Sequence, residues 1–69
     1  MQITELGKYR LANGKIAEVY RISGGAFPVA GGLDKQKNVA GVEIYQLKTL
    51  WKADGTHCSD VNLNIVARA

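Results

Sequence analysis

The sequence predicts an all-β chain: a single small domain over residues 1–69, built as an antiparallel barrel of SH3-like or OB-like type with about five short strands. An open antiparallel meander is the alternative arrangement. Three observations predict this class. Turn residues cut the chain into short pieces rich in β-branched and aromatic side chains, and Asn13-Gly14 and Asp54-Gly55 stand between such pieces as hairpin signals. No piece carries an i, i+3, i+4 apolar stripe between a helix cap and a stop. With 46% hydrophobic and 22% charged residues, the composition supports one small core and excludes a disordered or coiled-coil chain.

The elements follow in order. Lys8 to Ile22 reads as a hairpin around Asn13-Gly14, because a two-residue type I′ turn needs positive φ at both central positions and Asn-Gly adopts it at least cost. In that register Leu11 faces Ile16 and Tyr9 faces Glu18, while Lys8, Arg10, Ala17, Val19 and Arg21 share the other side. Apolar and charged residues are then mixed on both faces, which leaves the core face open. Ser23-Gly24-Gly25 is a loop, and Ala26-Phe27-Pro28-Val29-Ala30 a short strand whose proline belongs at an edge or a strand start. Gly31-Gly32 ends that strand, and Leu33 to Asn38 is an exposed polar loop.

The longest strand candidate runs from Val39 to Ala53. Its apolar positions change phase near Ile44-Tyr45, the mark of a bulge or bend through which a small sheet curls and closes. A second two-residue turn at Asp54-Gly55 places Trp51 across from Cys58. Val61, Leu63, Ile65 and Ala67 alternate with Asn62, Asn64, Val66 and Arg68, which predicts a half-buried strand.

Charge and compartment narrow the function classes. Nine Lys and Arg against six Asp and Glu give a formal charge of +3, which favours acidic partners. The single Cys58 has no internal disulfide partner, and no spacing of His and Cys suggests a metal site. The start, Met1-Gln2-Ile3-Thr4-Glu5-Leu6, lacks a signal-peptide pattern, and no apolar run is long enough to span a membrane. The expectation is a cytoplasmic protein without membrane association.

The residues available for catalysis are few, and the expectation is that the chain is not an enzyme and holds no cofactor or metal. His57-Cys58 is the one suggestive dipeptide, but neighbours on a strand point to opposite faces. A packed thiol opposite Trp51, with His57 on the surface, accounts for both. Gly24-Gly25 and Gly31-Gly32 match no phosphate-loop or dinucleotide pattern and read as loop glycines. Asp54, Ser59 and Asp60 serve turn hydrogen bonds.

Binding is the better-supported job. The chain interleaves Lys8, Tyr9 and Arg10, then Tyr20 and Arg21, then Lys48, Trp51 and Lys52, as small barrels do that bind nucleic acid or another acidic partner. Against this, a domain so poor in aromatics needs Tyr9, Tyr45 and Trp51 for its core. Phe27, Pro28 and Val29 offer either an apolar edge for a protein partner or a plug for the end of the barrel. Backbone amides around Gly24-Gly25 or Gly31-Gly32 supply a third reading, capture of a nucleotide or other anion. Unpaired sheet edges would also let copies associate into a homo-oligomer.

Gly7-Lys8-Tyr9-Arg10, Asn13-Gly14-Lys15 with Ala17 and Val19, Phe27-Pro28-Val29, and Trp51 with Asp54-Gly55-Thr56 and Asp60 together resemble small uncharacterised proteins encoded by bacteriophages and prophages. The chain departs from their pattern in having Asn13 where Asp is common, a longer stretch between Val29 and Trp51, and the tail Asn62-Leu63-Asn64. The resemblance brings no catalytic residues. It implies a bacterial cytoplasm and an accessory protein that binds and blocks or redirects a host macromolecule, foremost a protein, as defence inhibitors do. Direct binding of DNA or RNA is the rival reading.

Overall fold

Five strands, β1 (Gly7–Leu11), β2 (Ile16–Ile22), β3 (Val29–Lys37), β4 (Glu43–Trp51) and β5 (Ile65–Arg68), make one antiparallel sheet in the computed structural model, which describes residues 1–69. The order is β4-β3-β2-β1-β5, a meander of four strands with the fifth returning beside the first. The strands β4 and β5 are edges, so the sheet is open, as in the second of the two arrangements expected.

Three turns share one build. The N–H of Leu11 donates to the Lys15 carbonyl (2.8 Å) and that of Gly14 to the Leu11 carbonyl (2.9 Å). The pattern recurs as Asn38 to Val42 with Gly41 to Asn38, and as Lys52 to Thr56 with Gly55 to Lys52. Gly14, Gly41 and Gly55 take φ of 87°, 80° and 91°, while Asn13 and Asp54 keep negative φ. These are three-residue loops, a type I turn closed by a left-handed glycine, where two-residue turns were expected at Asn13-Gly14 and Asp54-Gly55.

The extra loop residue shifts each register by one, which changes the side-chain pairings. Tyr9 pairs with Ala17 and Arg10 with Ile16, in place of Tyr9 with Glu18 and Leu11 with Ile16. Tyr9, Leu11, Ala17 and Val19 thereby share one face and are all buried, which settles the core face of the hairpin. Likewise Trp51 lies opposite His57, not Cys58, so His57 is 8% exposed while the thiol is on the surface, the reverse of the expectation.

Gly31 and Gly32 do not end β3 but lie inside it, because each allows a close approach. A Cβ on Gly31 would stand 2.5 Å from the Glu18 carbonyl oxygen and 3.0 Å from Trp51 Cζ3, and one on Gly32 would stand 2.4 Å from Tyr45 Cγ. Leu33 to Lys37 continue the strand, with Leu33 buried, and Ala26 to Pro28 belong to the preceding loop. At the other end Val39 to Val42 form the turn, so the expected long strand begins only at Glu43.

The change of phase near Tyr45 is present. Trp51 packs against Gly31 on one face and Tyr45 against Gly32 on the other. The hydrogen-bonding direction inverts as well: Val42 accepts from Asn38 across the hairpin, whereas Leu50, of the same parity, accepts from Cys58 on the opposite edge. The inversion coincides with Asp34 (φ 55°), which is missing from the ladder between Leu33↔Leu47 and Lys35↔Tyr45. True register shifts occur elsewhere, at Arg10/Leu11 against β5 and between Val19 and Arg21 against β3.

The core is Ile3, Tyr9, Leu11, Ala17, Val19, Val29, Leu33, Trp51 and Ile65, with Ile22 and Leu63 packed against it. The N-terminal segment and residues 52–64 hold it together, through Ile3 N–H to Ala53 O (2.7 Å), Ile65 N–H to Gly55 O (2.8 Å) and Trp51 Nε1–H to Leu63 O (2.7 Å). The strand expected from Val61 starts only at Ile65. Asp60 accepts from Asn62 N–H (2.9 Å) and caps a 3₁₀ turn over Val61–Leu63 instead. No helix is long and apolar enough to cross a membrane.

Candidate functional site

The second face of the sheet is open to solvent, and the register decides what it carries. Directly opposed residues share a face. Lys8↔Glu18↔Gly32↔Lys48 therefore form one row across β1 to β4, with Arg10↔Ile16 beside it. Between Val19 and Arg21 the strand β2 holds one extra residue, Tyr20, and Arg21 pairs with Ala30. A bulge of this kind projects both residues to the same side. Tyr20 and Arg21 thus join Lys8, Arg10 and Lys48 on the outer face.

Tyr45 completes the arrangement. It lies over Gly32, its ring stacks on Tyr20 with centroids 5.6 Å apart and planes at 27°, and its hydroxyl donates a short hydrogen bond to Glu18 Oε1. That bond holds the Glu18 carboxyl below its usual range, with Lys35 adding to the effect, and raises the Tyr45 phenol, which burial raises further. Lys35 lies 3.0 Å from Glu43, 3.6 Å from Glu18 and 5.4 Å from the centre of the Tyr45 ring. The hydrogen bond to Glu43, more than any other cause, raises the Lys35 ammonium above its ordinary value. Two adjoining grooves flank Tyr45. One, of about 400 Å³, is lined by Lys8, Ile16, Glu18, Asp34, Lys35 and Glu43 among others. The other, of about 300 Å³, is lined by Tyr20, Glu43, Ile44 and Lys48.

Each of the six carboxylates is engaged. Glu5 pairs with Arg68 (3.6 Å), Asp34 with Lys15 (3.4 Å), and Glu18 and Glu43 with Lys35. Asp54 accepts from Thr56 N–H (2.9 Å), which lowers its pKa, and Asp60 from Asn62 N–H. Lys8, Arg10, Arg21 and Lys48 have no carboxylate within 4.0 Å. Four cations outside ion-pair distance of any carboxylate thus share the face of the Tyr20–Tyr45 stack, and Lys8 among them faces Glu18 closely enough to help hold its carboxyl low.

Other residues singled out in the sequence fall elsewhere. Trp51 is fully buried, so its indole offers no stacking surface, and Lys52 lies in the Lys52–Thr56 turn. Tyr9 is in the core, with the Arg68 guanidinium 5.3 Å from its ring centre. Val29 is buried in β3, which β2 and β4 flank, and is no edge; Phe27 and Pro28 are half-buried in the loop before it. The ladder pairs Gly31 and Gly32 on both sides, which leaves no amide cradle for an anion there. Tyr45 is the member that sequence reasoning assigned to the core. The clue to its position was Gly32, whose missing side chain leaves room for a ring on the outer side of the strand.

His57 is tied down at both ring nitrogens. Nδ1 accepts from Ser59 N–H (3.1 Å) and Asp60 N–H (2.9 Å), so the proton sits on Nε2, which donates to Thr49 Oγ1 (2.6 Å). Its ring also meets Trp51 edge-on at 5.7 Å. This histidine organises the 57–60 turn. Cys58 Sγ is exposed and 3.9 Å from both His57 Nε2 and Thr49 Oγ1.

Comparison with protein-family models, with curated proteins and with solved structures finds no match for this chain.

Proposed function

We propose that this chain is a non-enzymatic binding protein that docks an acidic macromolecule on the outer face of its sheet and blocks or redirects that partner by covering its surface. The observation that carries the reading is the gathering of Lys8, Arg10, Arg21 and Lys48, all without carboxylate partners, on one solvated face. Cations already neutralised in place add little attraction for a partner, whereas free ones raise both its encounter rate and its affinity. The resemblance to phage and prophage proteins suggests a bacterial host as the source of the partner.

The test is affinity capture from bacterial lysate with the wild-type chain and with an Arg10→Glu, Arg21→Glu, Lys48→Glu variant of matched melting temperature. A species retained by the wild type and lost by the variant supports the reading. Equal recovery by both overturns it.

A further inference from the structure

We infer that the acidic partner is a single-stranded nucleic acid, one of whose bases stacks on Tyr20 while its phosphates lie along Arg21, Lys48, Lys8 and Arg10. This inference rests on the reading of the outer face just given and names the class of ligand that fits it. Two features select that class.

The first is the tyrosine pair. Tyr45 backs one side of the Tyr20 ring, and Tyr20 keeps 41% of its surface exposed. Tyr45 is itself fixed by the bond to Glu18 and by its seat on Gly32. A planar base laid on Tyr20 extends a stack that has already been ordered, so little entropy is lost in presenting the ring.

The second is the placement of charge. Arg21 follows Tyr20 in the same bulge and Lys48 lines the groove beside it. From Lys48 the row runs three strand spacings, or about 14 Å, to Lys8, over the Tyr45 ring seated on Gly32 and past Glu18, whose carboxylate is held by the Tyr45 hydroxyl and lies 3.6 Å from Lys35. That width suits a flexible backbone crossing the strands with its bases turned toward the rings. In a duplex the bases are already stacked on one another and cannot reach Tyr20, so the geometry favours a single strand.

The test is fluorescence anisotropy of the intact chain with labelled oligothymidine, labelled oligouridine, a duplex of equal length, and polyglutamate as a plain polyanion. The expected result is binding of at least one single strand, tighter than duplex and polyglutamate. Its salt slope should be about −0.7 per phosphate contacted, roughly −3 for four contacts. Tyr20→Ala should weaken it about tenfold, within the range of one stacked base, while Tyr20→Phe retains it. Far-ultraviolet circular dichroism of each variant separates misfolding from lost stacking.

If polyglutamate binds as well as the oligonucleotides and Tyr20→Ala changes nothing, the nucleic-acid inference falls while the acidic-partner reading stands. Duplex binding as tight as single-strand binding also overturns the inference. Failure of every polyanion to bind at low salt overturns both.

Discussion

Replacing Gly31 by Ala tests the packing that sets both faces of the sheet. The added Cβ would stand 2.5 Å from the Glu18 carbonyl oxygen and 3.0 Å from Trp51 Cζ3. Neither neighbour can yield easily. The carbonyl belongs to a central strand paired on both sides, and the indole is fully buried with its Nε1–H held by Leu63. Overpacking against fixed atoms costs about 2–3 kcal/mol, and the lower entropy of the unfolded alanine chain returns at most about 1 kcal/mol. The net loss is about 2 kcal/mol, which for a domain of this size lowers the melting temperature by roughly 8–16 °C. Differential scanning calorimetry reads it directly, and a fall of less than about 3 °C would refute the close approach. Gly32→Ala separates the two faces. Its Cβ would meet Tyr45 Cβ at 2.7 Å and Cγ at 2.4 Å, so Tyr45 must leave its seat. The Glu18 carboxyl should then titrate nearer its ordinary value in a carbon-detected NMR titration, with oligonucleotide binding weakened.

Trp51 emission should be blue-shifted, resist iodide quenching and stay unchanged on titration with oligonucleotides, since the indole is in the core; quenching by ligand would return it to the binding face. Cys58 should react completely with a thiol reagent in the native protein, whereas His57→Ala should cost about 2 kcal/mol in urea denaturation because it strips the Ser59 and Asp60 amides of their acceptor. Glu18 has its pKa lowered by folding, so its contribution to stability is present above the ordinary value of 4.5 and is lost as pH falls through the lower folded value. Tyr45 has the opposite sign, with a contribution present below 10.0 and lost as pH rises through its raised folded value; Tyr45→Phe should flatten both limbs of the stability profile, and an unaltered profile would refute the coupling.

The all-β class, the hairpins and the strand ending at Arg68 were legible because alternation and Asn-Gly or Asp-Gly punctuation are local signals. The register was not. Asn-Gly suits a type I′ turn and equally the last two positions of a three-residue loop, and the choice is made by which register gathers Tyr9, Leu11, Ala17 and Val19 on one face. That decision is tertiary. The glycine pair inside β3 misled for a related reason: Gly31 and Gly32 serve Trp51 and Tyr45, residues distant in sequence, and without their positions the pair reads as a loop. Five of the seven residues proposed for an acidic partner reached one face, while Trp51 went to the core that a chain with 7% aromatics must fill.

The inversion in β4 bears on how a partner can be met. A nine-residue edge strand with Ile44, Leu47 and Leu50 partly exposed would ordinarily invite another strand to pair with it. Such pairing needs an unbroken row of outward-facing amides and carbonyls. Here Leu50 points its carbonyl outward while Val42 points inward, with the switch opposite Asp34, so the outward row changes parity midway. The half at Leu50 is already occupied, since that carbonyl accepts from Cys58 N–H and Trp51 pairs with His57, so an incoming strand could follow only the other. The same switch carries Tyr45 to the outer face, where it meets Tyr20 and Glu18. One local irregularity therefore withdraws the edge as a template and builds the ring stack on the face, which directs binding to side chains and away from backbone addition.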